Sequence, residues 1–167
     1  MLKIIGIVFL VASGTLIGYI KSLQHLNYIS FLRQYMKLIL NFKTEINYSQ
    51  KTIIQIIKEY SSELPLKPYL NKCILLLDDH PFEQAWKMAF SNLQNNLGAS
   101  SEEENIIKNF ASGLGSSDIE NQINYCKYNL EIIKPYLERE IENKNKKEKL
   151  PVILGLSSSL ILSIMLI

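Results

Sequence analysis

The chain has 167 residues, 47% of them hydrophobic, and 18 Lys+Arg against 16 Asp+Glu give a formal net charge of +2. Every acid, and every base except Lys3, lies between Lys21 and Lys149, which leaves an uncharged apolar run at each end. That distribution argues against a purely soluble protein, and a middle of 17 bases and 16 acids argues against a nucleic-acid binder.

Ile4 to Ile20 is 17 residues without a charge. As a helix it reaches about 25 Å, near the short end of what crosses a hydrocarbon layer of about 30 Å. The run predicts an N-terminal transmembrane helix over residues 1–22. A cleaved signal peptide is the competing reading, with Lys3 as its basic start and the small residues Ala12, Ser13 and Gly14 near a cleavage site. Retention is preferred because the run exceeds a usual apolar signal core and the apolar pattern resumes directly past Lys21. Gly14 and Gly18 stand four apart, a spacing that lets another helix approach closely, and are the candidate span-packing residues.

Residues 23–149 predict an all-α bundle of about six helices. Ile29, Leu32, Met36, Ile39 and Ile46 follow helical spacing, with Leu40 widening the stripe. A turn near Asn47–Ser49 precedes Ile53, Ile54, Ile57 and Tyr60. Pro68 suits the first turn of a helix bearing Leu70, Cys73, Ile74 and Leu77. Phe82, Ala85, Trp86, Ala89 and Leu93 form one further apolar face that closes at Leu97-Gly98. Ser101-Glu-Glu-Glu104 reads as a capping box opening a helix with Ile106, Ile107 and Phe110, which Gly113 and Gly115 end. Ser117-Asp-Ile-Glu120 reads as a second capping box. Beyond it Ile119, Ile123, Cys126, Leu130, Ile133, Leu137 and Ile141 alternate steps of three and four, with a kink expected near Pro135. No stretch alternates in the manner of a strand.

Leu150 to Ile167 is a second run of 18 uncharged residues and predicts a C-terminal transmembrane helix over 150–167. Two spans put both termini on one side and the middle on the other. Lys21–Thr44 carries four bases and no acid, and Lys144–Lys149 carries four lysines and one acid, so the positive-inside rule places the middle in the cytoplasm. Between those flanks, Glu45–Asn143 has nine bases and fifteen acids, a net of −6, which sets an acidic body away from a basic lipid-facing base.

Few residues invite chemistry. Asp78, Asp79 and His80 are adjacent, point in different directions on one turn, and read as a loop with an N-cap ahead of Pro81. His25 has no partner visible in the sequence. Gly113–Ser117 lacks the preceding strand and following Gly-Lys-Ser/Thr of a phosphate loop. Cys73 and Cys126 lack CxxC spacing and read as small buried hydrophobes, with a disulfide left open. The sequence thus predicts no catalytic residue, no cofactor and no metal site, and no enzyme.

Several segments together resemble the stage III sporulation protein AB family. These are the opening Met1-Leu-Lys-Ile-Ile-Gly6, Gly14-Thr-Leu-Ile-Gly-Tyr19, Glu45-Ile-Asn-Tyr48, Ala85-Trp86, and Phe110-Ala-Ser-Gly-Leu-Gly-Ser-Ser-Asp118 with Gln122. The last is similar to the family's Leu-Gly-x-x-Asp-x-x-x-Gln signature, which here marks Gly113, Leu114, Gly115, Asp118 and Gln122. The family in turn resembles the F-type inner-membrane platform proteins of type II secretion and type IV pilus systems. The resemblance implies a non-enzymatic component of a secretion-like channel in the mother-cell membrane facing the forespore. Its implied partners are a cytoplasmic secretion-type ATPase of the same operon and other stage III channel proteins, and a homo-oligomer is compatible with that role. Glu102, Glu103 and Glu104 are the candidate surface for the ATPase, while the signature is read as a structural turn. A membrane-tethered helical adaptor or regulatory protein unconnected with transport is the alternative.

Overall fold

A computed structural model describes the backbone at residues 2–48, 51–60, 65–115 and 118–165, and side chains from 25 to 144 within those stretches. Among the described residues there are seven α-helices, one 3-10 turn and no strand: α1 (Leu2–Tyr48), α2 (Ile53–Tyr60), α3 (Lys67–Leu76), α4 (Phe82–Ala89), α5 (Leu93–Leu97), α6 (Ser101–Asn109), the 3-10 turn (Phe110–Gly113) and α7 (Ile119–Met165). The expected all-α class holds. The two long helices run continuously across residues 22–23 and 149–150, so the apolar runs continue the outer bundle helices. Among the described residues, no helix is long and apolar enough to cross a membrane. The expected spans at 1–22 and 150–167, with Gly14 and Gly18, fall outside the residues whose side chains are described.

Helix boundaries follow from local chemistry. Thr52 and Gln55 cap the start of α2 reciprocally, the Thr52 N–H donating to Gln55 Oε1 at 2.9 Å and the Gln55 N–H to Thr52 Oγ1 at 3.4 Å. Pro68 lies in the first turn of α3, where a missing N–H costs nothing. The N-cap of α4 is Pro81 itself, with no side-chain cap, rather than one of the residues ahead of it. The single helix expected over Phe82–Leu97 is broken in two, because Asn92 takes a left-handed conformation at φ 69° between α4 and α5. Asparagine tolerates that region better than most side chains. Pro135 does not end α7.

The core is aromatic. Tyr28, Phe31, Tyr35, Leu38 and Phe42 supply most of the buried face of α1, together with the expected Leu32 and Ile39, whereas Leu40 is 49% exposed. Phe31, Tyr35, Tyr69, Trp86, Phe90 and Phe110 form one connected set of rings across α1, α3, α4 and the 3-10 turn. Trp86 stacks on Phe90 at 4.2 Å, and its indole N–H donates to the Ile107 carbonyl at 2.8 Å, so the ring is anchored at both its apolar and its polar edge. α7 closes the bundle antiparallel to α1: His25 meets Glu140 at one end, while at the other Phe110 bridges Phe42 of α1 and Tyr125 of α7.

Cys73 and Cys126 are buried and free. Burial pushes the Cys73 thiol up to about 12 and the Cys126 thiol up to about 11, the charge of Lys43 offsetting part of the latter. Both act as small neutral hydrophobes.

Among the described residues the Tyr28 and Tyr35 hydroxyls are buried without a geometrically satisfied hydrogen bond, and Tyr35 is the more deeply buried of the two. Such a group costs about 1–3 kcal/mol. Tyr35→Phe is therefore expected to raise stability by about 1 kcal/mol in urea denaturation, and a loss of similar size would show that the hydroxyl has a partner.

Candidate functional site

The family signature occupies the connection from α6 to α7 and folds on itself. The Leu114 side chain is buried, and its N–H donates to the Ala111 carbonyl at 3.2 Å, closing the 3-10 turn. Gly115 follows at φ +78°, a conformation that strains any residue with a Cβ. Its N–H donates to Gln122 Oε1 at 3.1 Å, so the last residue of the signature returns to its second glycine. Asp118 accepts the Asn121 N–H at 2.7 Å and the Asn121 side-chain amide at 3.0 Å, covering the start of α7. Ser117, the expected cap, lies outside the described residues; Asp118 carries out capping one position later.

Gly113 meets a different requirement. A Cβ there would run into the ring of Tyr125, which lies directly against the glycine. The Tyr125 hydroxyl donates to the Asn109 carbonyl at 2.9 Å, and its ring stacks on Phe110 at 6.1 Å. The signature and Tyr125 thus set the angle between α6 and α7. Beside them runs an open groove of about 470 Å³, lined among others by Asn105, Ile106, Asn109, Tyr128 and Ile132.

The acids expected to form a docking surface are largely turned inward. Ser100, not Ser101, is the N-cap of α6: its Oγ accepts the Glu103 N–H at 3.2 Å, and Glu103 Oε2 accepts the Ser100 N–H at 2.7 Å. Glu103 is only 2% exposed and its other oxygen meets Arg139 Nη2 of α7 at 3.1 Å. Glu104 accepts the N–H groups of Asn92 and Gln94 at 3.3 and 3.1 Å, holding the left-handed turn before α5. Glu102 alone of the three is exposed, beside Tyr136, whose hydroxyl is shifted upward by desolvation first and then by its hydrogen bond to Glu102. With Ser100 as the cap, one residue ahead of Ser101, Glu103 takes the N3 position and its side chain returns to the cap.

A second polar cluster was invisible in the sequence. His25 Nδ1 lies 3.0 Å from Glu140 Oε2, and Arg139 Nε lies 3.5 Å from the other Glu140 oxygen. The His25–Glu140 separation of 115 residues leaves no local signal for the pair. Burial first, then the charge of Glu103, keeps the adjacent Tyr28 hydroxyl protonated far above neutrality. Asp78 and Asp79 are exposed in the α3–α4 turn, and among the described residues no group of three acidic, His or Cys side chains could hold a metal ion.

The helical bundle closed by this signature turn has clear relatives. The family model for stage III sporulation protein AB matches residues 3–167, and the chain belongs to that family, which implies a role in sporulation. A solved structure titled "Stage III sporulation protein AB (SpoIIIAB)" is similar in fold, with a TM-score of 0.63 and 17% identity, covering 72% of this chain and 98% of that one. No curated protein matches.

The Gly113–Tyr125 contact makes a specific expectation. Gly113→Ala should cost about 1–3 kcal/mol through overpacking, and the cost should shrink in a Tyr125→Ala background. Equal costs in both backgrounds, measured in a double-mutant cycle, would mean that the ring yields freely.

Proposed function

We propose that this chain is a non-enzymatic membrane platform component of a secretion-like channel complex between mother cell and forespore, anchored by both terminal apolar runs and docking a cytoplasmic ATPase. The observation that carries the reading is the antiparallel pairing of α1 with α7. Past His25 and Glu140 both helices leave the bundle at the same end, and each continues into an uncharged run of 17 or 18 residues. Two helices leaving together suit two spans entering one bilayer side by side, with the helical body on the face that bears the basic flanks.

The reading has the body transmit force or position rather than perform chemistry. Glu103, Glu104 and Asp118 serve as caps and ties within the fold, and its cysteines are buried neutral thiols. A separate motor would then supply energy, and a rigid aromatic core would give it a stiff mount. The ATPase is expected at the outward edge near Glu102, since Glu103 and Glu104 are engaged within the fold.

Two measurements test this. Protease added to sealed cells should spare the body, whereas inverted vesicles should expose it; digestion from outside the cell would reverse the orientation. Glu102→Lys should lower co-purification of the ATPase at least several-fold while the melting temperature falls only slightly, from the lost Tyr136 bond and the reversed charge at the start of α6, and undiminished capture would remove that edge from the docking surface.

A further inference from the structure

Each of the two long helices buries one face and, among the described residues, leaves the opposite face exposed. α1 turns Tyr28, Phe31, Tyr35 and Phe42 into the core and touches α2, α5 and α7. Helical spacing puts Leu26, Arg33, Lys37, Leu40 and Thr44 on its other side, and all five are exposed, Leu40 at 49%. α7 buries Cys126, Asn129 and Ile133, and turns Glu120, Lys127, Glu131, Lys134, Glu138 and Glu142 outward. Between the two exposed columns run Met36, Leu130 and Leu137, half-buried in the α1–α7 seam. The back of the bundle is therefore an apolar strip with a charged edge on either side.

The two edges carry opposite charge. On α1, Arg33 and Lys37 give +2, no acid occurs from Lys21 to Thr44, and the Lys37 ammonium lies 5.9 Å from the centre of the Tyr60 ring. On α7, four acids stand against Lys127 and Lys134, a net of −2, with Lys134 tied to Glu138 at 3.8 Å. Lys43 and Lys144 are half-buried on the seam side of their helices and belong to neither edge. The edges also match in height. His25 meets Glu140 at one end of the seam and Phe110 bridges Phe42 and Tyr125 at the other, which sets Glu131 level with the turn from Arg33 to Lys37.

We propose that this face docks a second copy of the chain, related by a twofold axis parallel to the long helices, so that each α1 lies on the α7 of the other copy. Arg33 and Lys37 of one copy then flank Glu131 of the other, and the axis repeats the contact. Leu26, Leu40 and the half-buried strip lose water between the copies. A twofold axis at right angles to the helices would instead lay α1 on α1 and α7 on α7, base against base and acid against acid. Charge therefore selects the parallel axis. The same axis sends all four long helices out of the dimer at one end, so that the apolar runs of both copies emerge as neighbours.

The test is the self-association of the full-length chain in mild detergent, followed by sedimentation over a range of concentrations. Wild type should form dimers that weaken as salt is added. Arg33→Glu and Glu131→Arg should each raise the dissociation constant about tenfold or more, because the axis applies every change twice. Mixing the two variants should bring it back to within about threefold of wild type, since each chain then meets the opposite charge at both contacts. Asp79→Arg, in the exposed α3–α4 turn, should leave it unchanged. Glu131→Gln should weaken the dimer several-fold and flatten its salt dependence, and it replaces Glu131→Arg if that variant does not fold. A monomeric wild type would overturn the proposal, as would a mixture that stays dissociated. So would a dimer indifferent to Arg33→Glu, the behaviour of chains joined only through their apolar runs. None of these readouts involves the ATPase or the channel reading.

Discussion

The antiparallel seam between α1 and α7 is the constraint on which everything else in this molecule rests. These helices are the first and last of the chain, and the five short helices between them bury their faces against that pair and one another. The seam is apolar along most of its length, from Phe31 and Tyr35 through Phe42 to Cys126 and Ile133. At its outer end it becomes ionic, through His25, Arg139 and Glu140. Large rigid rings hold the helices at fixed spacing with little loss of side-chain entropy, whereas the ionic end is held by directional contacts between half-buried side chains.

The arrangement of acids changes how the surface is understood. A net of −6 over Glu45–Asn143 suggests an acidic face offered to a partner. Much of that charge instead has structural duties. Glu103 ties α6 to α7, Glu104 secures the turn before α5, and Asp118 covers the start of α7. Each accepts backbone N–H groups or pairs with a base, and charge-assisted bonds of this kind are stronger than neutral ones. The signature Leu114, Gly115, Asp118 and Gln122 belongs to the same economy of turns, with Gly113 admitting the Tyr125 ring. Its residues are fixed by backbone conformation, close approach and capping, each of which a different side chain would upset.

Much of this was legible in the amino-acid order. Helical periodicity, proline positions and capping residues determined an all-α chain with its connections near the right places. Charge distribution separated the body from its two apolar ends, and the order of short motifs pointed to the family. The boundaries that slipped did so by one residue at Ser100 and Asp118, because several neighbouring polar residues can each serve as a cap and only the packed helix chooses among them. Along α1 the aliphatic stripe is legible from its spacing, whereas the rings at Tyr28, Phe31, Tyr35 and Phe42 share the buried face only through packing against other helices. The sequence by itself determined what kind of elements form and which stretches avoid water. Tertiary structure alone decided that Asn92 splits a helix, that Glu103 turns inward, and that His25 meets Glu140. Periodicity and capping act within a few residues, whereas these outcomes depend on contacts made across the fold once distant helices have packed.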